Sequence, residues 1–185
     1  MASSKPKVVV IVGIPGVGKT TVLKHLENLA VKENLKMKIV NFGDYMFERA
    51  IKNGLIRHRD EIRKLGLIVQ AELQEEAAKS IAKVCEELKD YDVLIVDTHA
   101  LIHTLNGFWP GLPLSVVEKL KPRAIFIVEA DPEEVIKRRA KDTSRLRRDE
   151  KSLEEVKEFM ELARMASISS AILSGAVVKI IINRE

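Results

Sequence analysis

Cysteine is almost absent from the 185 residues: Cys85 stands alone, so no internal disulfide can form. It lies in the helix-spaced apolar stretch Ile81–Leu88, beside Ile81, Val84 and Leu88. It reads as a small core residue rather than a thiol with a catalytic partner. Aromatics are scarce as well, with one Trp, two Tyr and five Phe. None are interleaved with the arginines, which removes the stacking platform that single-stranded nucleic acid would need. No nucleic-acid partner is therefore expected. The apolar runs are no longer than a strand, so no membrane-spanning helix is expected. The first residues, Met1 to Lys7, lack the apolar core of a signal peptide. The cytoplasm is the expected location.

What is present describes one globular α/β unit over residues 1–185. Apolar residues make up 46% and charged residues 31% of the chain, with a formal net charge of +4. A mildly basic balance suits an anionic ligand. Val8–Val12 is a β-branched run that ends at Gly13, the pattern of a buried parallel strand. Thr20 to Lys32 then carries Val22, Leu23, Leu26, Leu29 and Ala30 at helical spacing. Further strands are expected at Met37–Phe42, Val93–Val96, Ala124–Val128 and Val177–Ile182, with helical stretches between them. The alternation predicts a five-stranded parallel sheet with helices on both faces, a three-layer architecture.

Boundary signals agree with this reading. Asp131-Pro132-Glu133-Glu134 opens a helix, Ser152-Leu153-Glu154-Glu155 is a capping box, and Gly175 is a helix stop. Two segments interrupt the alternation: 43–90, mostly helical and too long for one crossover, and 141–151, short and basic. Both are expected to project from the sheet.

The strongest motif is Gly13-Ile14-Pro15-Gly16-Val17-Gly18-Lys19-Thr20, a full G-x-x-x-x-G-K-[ST] loop between a strand and a helix. Its glycines let successive N–H groups face phosphates, and the helix N-terminus adds to that field. Lys19 can reach the β- and γ-phosphates of a nucleoside triphosphate, and Thr20 can offer its hydroxyl to Mg²⁺. Asp97 ends an apolar strand. If that strand lies beside the first, Asp97 would hold Mg²⁺ through a water. His99 either orients a phosphate or water, or packs as a capping histidine.

Phosphoryl transfer depends on charge stabilisation and positioning, for which arginine is suited. Arg138, Arg139, Arg145, Arg147 and Arg148 fall in one short span. At least two of them are expected on phosphates. Arg59 and Arg63, four apart, are expected on one helix face to grip an acceptor phosphate. These motifs alone fit a nucleoside monophosphate kinase, another small-molecule kinase, or a P-loop NTPase switch.

The chain resembles the archaeal-type adenylate kinases over nearly its whole length. The resemblance rests on Gly13–Thr21, Asn41-Phe42-Gly43-Asp44, Arg59–Leu65, Asp97-Thr98-His99-Ala100, Trp109-Pro110-Gly111-Leu112-Pro113, Glu129-Ala130-Asp131-Pro132 and Ala176–Ile181. It implies Mg²⁺-dependent transfer from ATP to AMP, giving two ADP, within a homotrimer. It also implies an AMP-binding insertion at 43–90 and a lid at 141–151. On this basis residues 13–21, from Gly13 to Thr21, bind ATP; Arg59, Arg63 and His99 serve AMP; Lys19, Arg138, Arg145 and Arg147 serve the transferred group; and Thr20 and Asp97 hold the metal. The chain departs from the pattern at His103, where relatives often carry another basic residue, and at Val69, where they often carry lysine.

Overall fold

A computed structural model describes residues 5–104, 107–141 and 152–184. The chain opens with β1 (Lys7–Val12), α1 (Lys19–Lys32), β2 (Met37–Asn41) and α2 (Phe42–Lys52), followed by a 3₁₀ turn at Arg59–Lys64. It continues through α3 (Leu67–Glu87), β3 (Val93–Asp97), β4 (Leu101–Thr104), β5 (Gly107–Pro110) and α4 (Leu114–Leu120). It closes with β6 (Ala124–Glu129), α5 (Pro132–Lys141), α6 (Leu153–Ser174) and β7 (Val177–Ile182).

Five of these strands form one parallel sheet in the order β2-β3-β1-β6-β7. The chain passes from β1 out to β2, returns through β3, and then crosses β1 to reach β6. The strand order reverses beside β1, so the crevice at its carboxyl end is where an open α/β sheet binds ligands. β1 is β-branched throughout its interior because both its faces are covered. Val8, Val10 and Val12 join Val40, Leu94, Val96, Ile125 and Ile127 under α2, α3 and α4. Ile11 and Ile95 face the other way, under α1, α5 and α6. This two-residue alternation between two filled cores makes the three layers.

The cap signals form as read. Ser152 Oγ accepts from Glu155 N at 3.1 Å and the Glu155 carboxylate accepts from Ser152 N at 3.0 Å. Asp131 Oδ1 accepts from Glu133 N at 2.9 Å. Cys85 is buried, and its thiol is held above its ordinary pKa by burial, which keeps it protonated and unreactive.

One expectation needs correction, and one feature is new. Residues 43–90 do not stand off from the sheet: Met46 and Ala50 of α2, Ile62 of the turn, and Leu73, Ala77 and Ile81 of α3 share one core with the strands. An antiparallel hairpin, β4–β5, was also not foreseen. Its arms are four residues each and include Pro110, too short for a periodic signal. The hairpin base is joined to α3 by Gln74, 1% exposed, whose Nε2 donates to Pro110 O at 3.0 Å and whose Oε1 accepts from Trp109 Nε1 at 3.3 Å. Ser170 of α6 donates to Leu112 O at 2.8 Å. The Trp109–Pro113 motif is therefore a packing joint between α3, the hairpin and α6.

Gln74→Leu keeps the bulk but removes both hydrogen bonds. It should lower stability by about 1–3 kcal/mol, measured by chemical denaturation with Trp109, the single tryptophan, as the probe. An unchanged midpoint would contradict the role given to Gln74.

Candidate active site

The site is built on the loop between β1 and α1. Ile14 and Val17 are buried in the core under α1, α5 and α6 and pin the loop to it. Gly16 and Gly18 have φ of +91° and +84°, the left-handed region that glycine adopts without strain. A Cβ on Gly18 would also lie 2.2 Å from Asn183 Nδ2.

Three side chains from three other elements take the outer carbonyls of this loop. His99 Nδ1 lies 2.7 Å from Gly13 O, so that nitrogen carries the proton. Arg139 Nε donates to Pro15 O at 2.8 Å. Asn183 Nδ2 donates to Val17 O at 3.0 Å. The carbonyls of residues 13, 15 and 17 are thus held at every second position, an arrangement that presents the intervening amides to an anion. Through Nδ1, His99 therefore braces the loop.

Lys19 opens α1. Its Nζ donates to Asp97 Oδ1 and to Thr98 O, each at 2.9 Å. Asp97 ends β3, in parallel register with Ile11 of β1 and Asn41 of β2. This adjacency is the one the magnesium reading required. Asn41 Nδ2 donates to Asp97 Oδ2 at 2.8 Å, and Asn41 Oδ1 accepts from Arg59 Nη2 at 2.9 Å. Arg59 Nη1 is also paired with Asp44. The contacts run without a gap from Lys19 through Asp97 and Asn41 to Arg59.

Arg59 and Arg63 do not share a helix face. The segment is a 3₁₀ turn, whose three residues per turn set positions four apart about 120° out of line. Arg63 instead donates from Nη1 to His103 O at 3.3 Å. It lines a narrow recess with Pro15, His99, His103 and Phe159, so it does approach the loop. The turn is locked by Glu61, which accepts from the N–H groups of Arg57 at 2.6 Å and His58 at 3.0 Å. Those bonds hold its carboxyl below the usual range. A larger recess, lined by Asn53 and Leu55 after α2 and by Glu72, Glu75, Glu76 and Lys79 of α3, touches no residue of the loop.

Arg138 lies near the end of α5 with Nη1 buried and no hydrogen-bond partner among the described residues. A Cβ at Gly18 would be 3.3 Å from that nitrogen. An orphaned guanidinium N–H beside a helix N-terminus fits a phosphate oxygen. For the metal, Thr20 in the first turn of α1 and Asp97 offer hard oxygen donors. No group of three His, Cys, Asp or Glu converges among the described residues. Magnesium needs no such group, since it keeps several waters and is held by one or two carboxylates with substrate phosphates. Arg145, Arg147 and Arg148 lie outside the described residues. Asn41 and Asn183 were not singled out from sequence. Asn41 sits inside the stretch Asn41–Asp44 that carried the resemblance, whereas no periodicity or motif marks Asn183.

Comparison with known proteins gives a consistent picture. A family model described as an AAA domain matches residues 12–157. The chain is 44% identical over 179 residues to an adenylate kinase from Saccharolobus solfataricus, covering 97% of this chain and 92% of that protein. It is 48% identical over 182 residues to an adenylate kinase from Methanocaldococcus jannaschii, covering 98% and 92%. The crystal structure of TT1252 from Thermus thermophilus superposes with a TM-score of 0.54 at 16% identity, covering 97% of this chain and 90% of that one, a likeness of fold alone.

Arg138→Met should weaken binding of a nucleoside triphosphate by roughly tenfold to a hundredfold, the range for a hydrogen bond to a charged group, read by titration calorimetry. Thermal stability should hold or rise, because an unpartnered buried N–H is removed. Unaltered affinity would contradict the assignment.

Proposed function

The chain belongs to the adenylate kinases, and from that membership we propose how its residues divide the reaction. It is a nucleoside monophosphate kinase that moves the terminal phosphoryl group of ATP to AMP and yields two ADP, reversibly. The observation that carries the division is the unbroken run of contacts from Lys19 to Arg59. One end belongs to the phosphate loop and the other to the 3₁₀ turn, so donor and acceptor groups meet at one sheet edge.

Residues 13–21 hold the ATP phosphates. Lys19 exchanges Asp97 for the β- and γ-phosphates when ATP arrives, since a dianionic phosphoryl group attracts it more strongly than one carboxylate. Asp97, thereby released, and Thr20 would hold Mg²⁺. A bound ion would supply positive charge to offset that of the triphosphate. Arg59 and Arg63 grip the AMP phosphate. Arg138 takes a donor phosphate oxygen, and Arg145 and Arg147 bring further charge onto the transferred group as the lid at 141–151 closes. Closure excludes the water that would otherwise hydrolyse ATP. No general base is required, because a phosphate monoester has a second pKa of about 6 and attacks as a dianion.

A homotrimer fits the family resemblance and would give cover to Met165, Ile168 and Ile172 on α6 and Val177 and Ile182 on β7, all exposed. No described helix is long and apolar enough to cross a membrane, and a cytoplasmic site of action agrees with a substrate set of free adenine nucleotides.

The test is a coupled assay with Mg-ATP and a panel of nucleoside monophosphates. AMP should be the preferred acceptor, and Lys19→Met should lower kcat by roughly 10²–10³, as loss of a preorganised charge does. Transfer to UMP, CMP or GMP in place of AMP would contradict the acceptor assignment. Hydrolysis without transfer would contradict kinase activity itself.

A further inference from the structure

We infer that Asn41 and Gly43 form a seat that positions Arg59 against the donor machinery. This rests on the reading of Arg59 as a residue that grips the AMP phosphate. Asn41 is the last residue of β2, opposite Asp97 in the parallel register. Its carboxamide works in two directions: Nδ2 donates to Asp97 Oδ2 at 2.8 Å, and Oδ1 accepts from Arg59 Nη2 at 2.9 Å and Asp44 N at 3.2 Å. A carboxylate could not donate to Asp97, and a hydroxyl is too short to span both partners. The strand register therefore sets the spacing between the carboxylate beside Lys19 and the arginine of the acceptor. In-line transfer is sensitive to misplacement of about 1 Å, so that spacing bears on rate as well as binding.

Gly43 is an independent sign of the same seat. It lies in the first turn of α2, where alanine would be the better helix former. A Cβ there would come within 2.4 Å of Arg59 Nη2 and 3.1 Å of Asn41 Oδ1. The guanidinium occupies the space that the missing side chain leaves. Of its five N–H groups, one goes to Asn41 and one to Asp44, and among the described residues the remainder are open to phosphoryl oxygens. Asn41 and Gly43 are positioning residues: they act on the acceptor through Arg59.

Two variants separate positioning from folding. Asn41→Ser keeps a good helix cap but loses the span. Gly43→Ala favours the helix but displaces Arg59. Each should weaken AMP affinity roughly fivefold, a modest factor because Arg59 is half exposed. Calorimetry with AMP alone, without metal or ATP, reads this directly, and KM for AMP should rise in parallel. The unfolding midpoint of Gly43→Ala should not fall. In an Arg59→Ala background neither substitution should weaken AMP binding further. Wild-type affinity in Gly43→Ala, or an effect that persists without Arg59, would overturn the seat. An Arg59→Ala protein that binds AMP as tightly as the wild type would overturn the acceptor role of Arg59, and the seat with it.

Discussion

A loop that turns its amides toward a phosphate must find donors elsewhere for the carbonyls that alternate with them. In this chain those donors are His99, Arg139 and Asn183, on the carbonyls of Gly13, Pro15 and Val17. They come from the exit of β3, from α5, and from the residue after β7. The loop conformation is thus a joint product of elements far apart in sequence, and the sheet order that gathers β3, β6 and β7 around β1 is a condition for the anion site. Ile14 and Val17 hold the same loop by apolar packing. Backbone freedom at Gly16 and Gly18 permits the shape; the surrounding donors and core select it.

Charge placement follows the same edge. Lys19 and Asp97 pair with side chains only 12% and 15% exposed, and Asn41 satisfies the second carboxylate oxygen. A pair so sheltered depends on its mutual geometry, since removing one partner leaves a poorly solvated charge. In the proposed reaction this pair stores a cation beside the loop in a form that an arriving phosphate draws off. Arg138 contributes an N–H that nothing in the described protein satisfies. By contrast, Glu129, 5% exposed, is engaged at both oxygens by Arg164 of α6. The contrast between a satisfied structural pair and an unsatisfied guanidinium beside Gly18 separates scaffold from site.

Much of this was legible in the sequence because it was written in local patterns. Buried strands show as β-branched runs, the loop as a fixed motif, and the helix starts at Pro132 and Leu153 as capping residues. The 3₁₀ turn was not legible: Arg59 to Lys64 has the composition of any charged helix, and its pitch depends on Glu61 closing back on Arg57 and His58. The hairpin was too short to show a period. His99 could be read two ways because its partner, Gly13 O, lies 86 positions away and is brought near only by the β1–β3 pairing. Asn183 is invisible for the same reason at greater separation.

The central claim is that phosphate replaces the protein's own partners at this edge: Lys19 leaves Asp97, and Arg138 gains an acceptor. The most direct measurement is a crystal structure with magnesium and a bisubstrate analogue, two adenosines joined by five phosphates. The account predicts Lys19 Nζ and Arg138 Nη1 on phosphate oxygens, one adenosine phosphate on Arg59, and the braces at Gly13, Pro15 and Val17 unchanged. A structure in which Lys19 still pairs with Asp97, or in which the loop carbonyls abandon His99, Arg139 and Asn183, would contradict it.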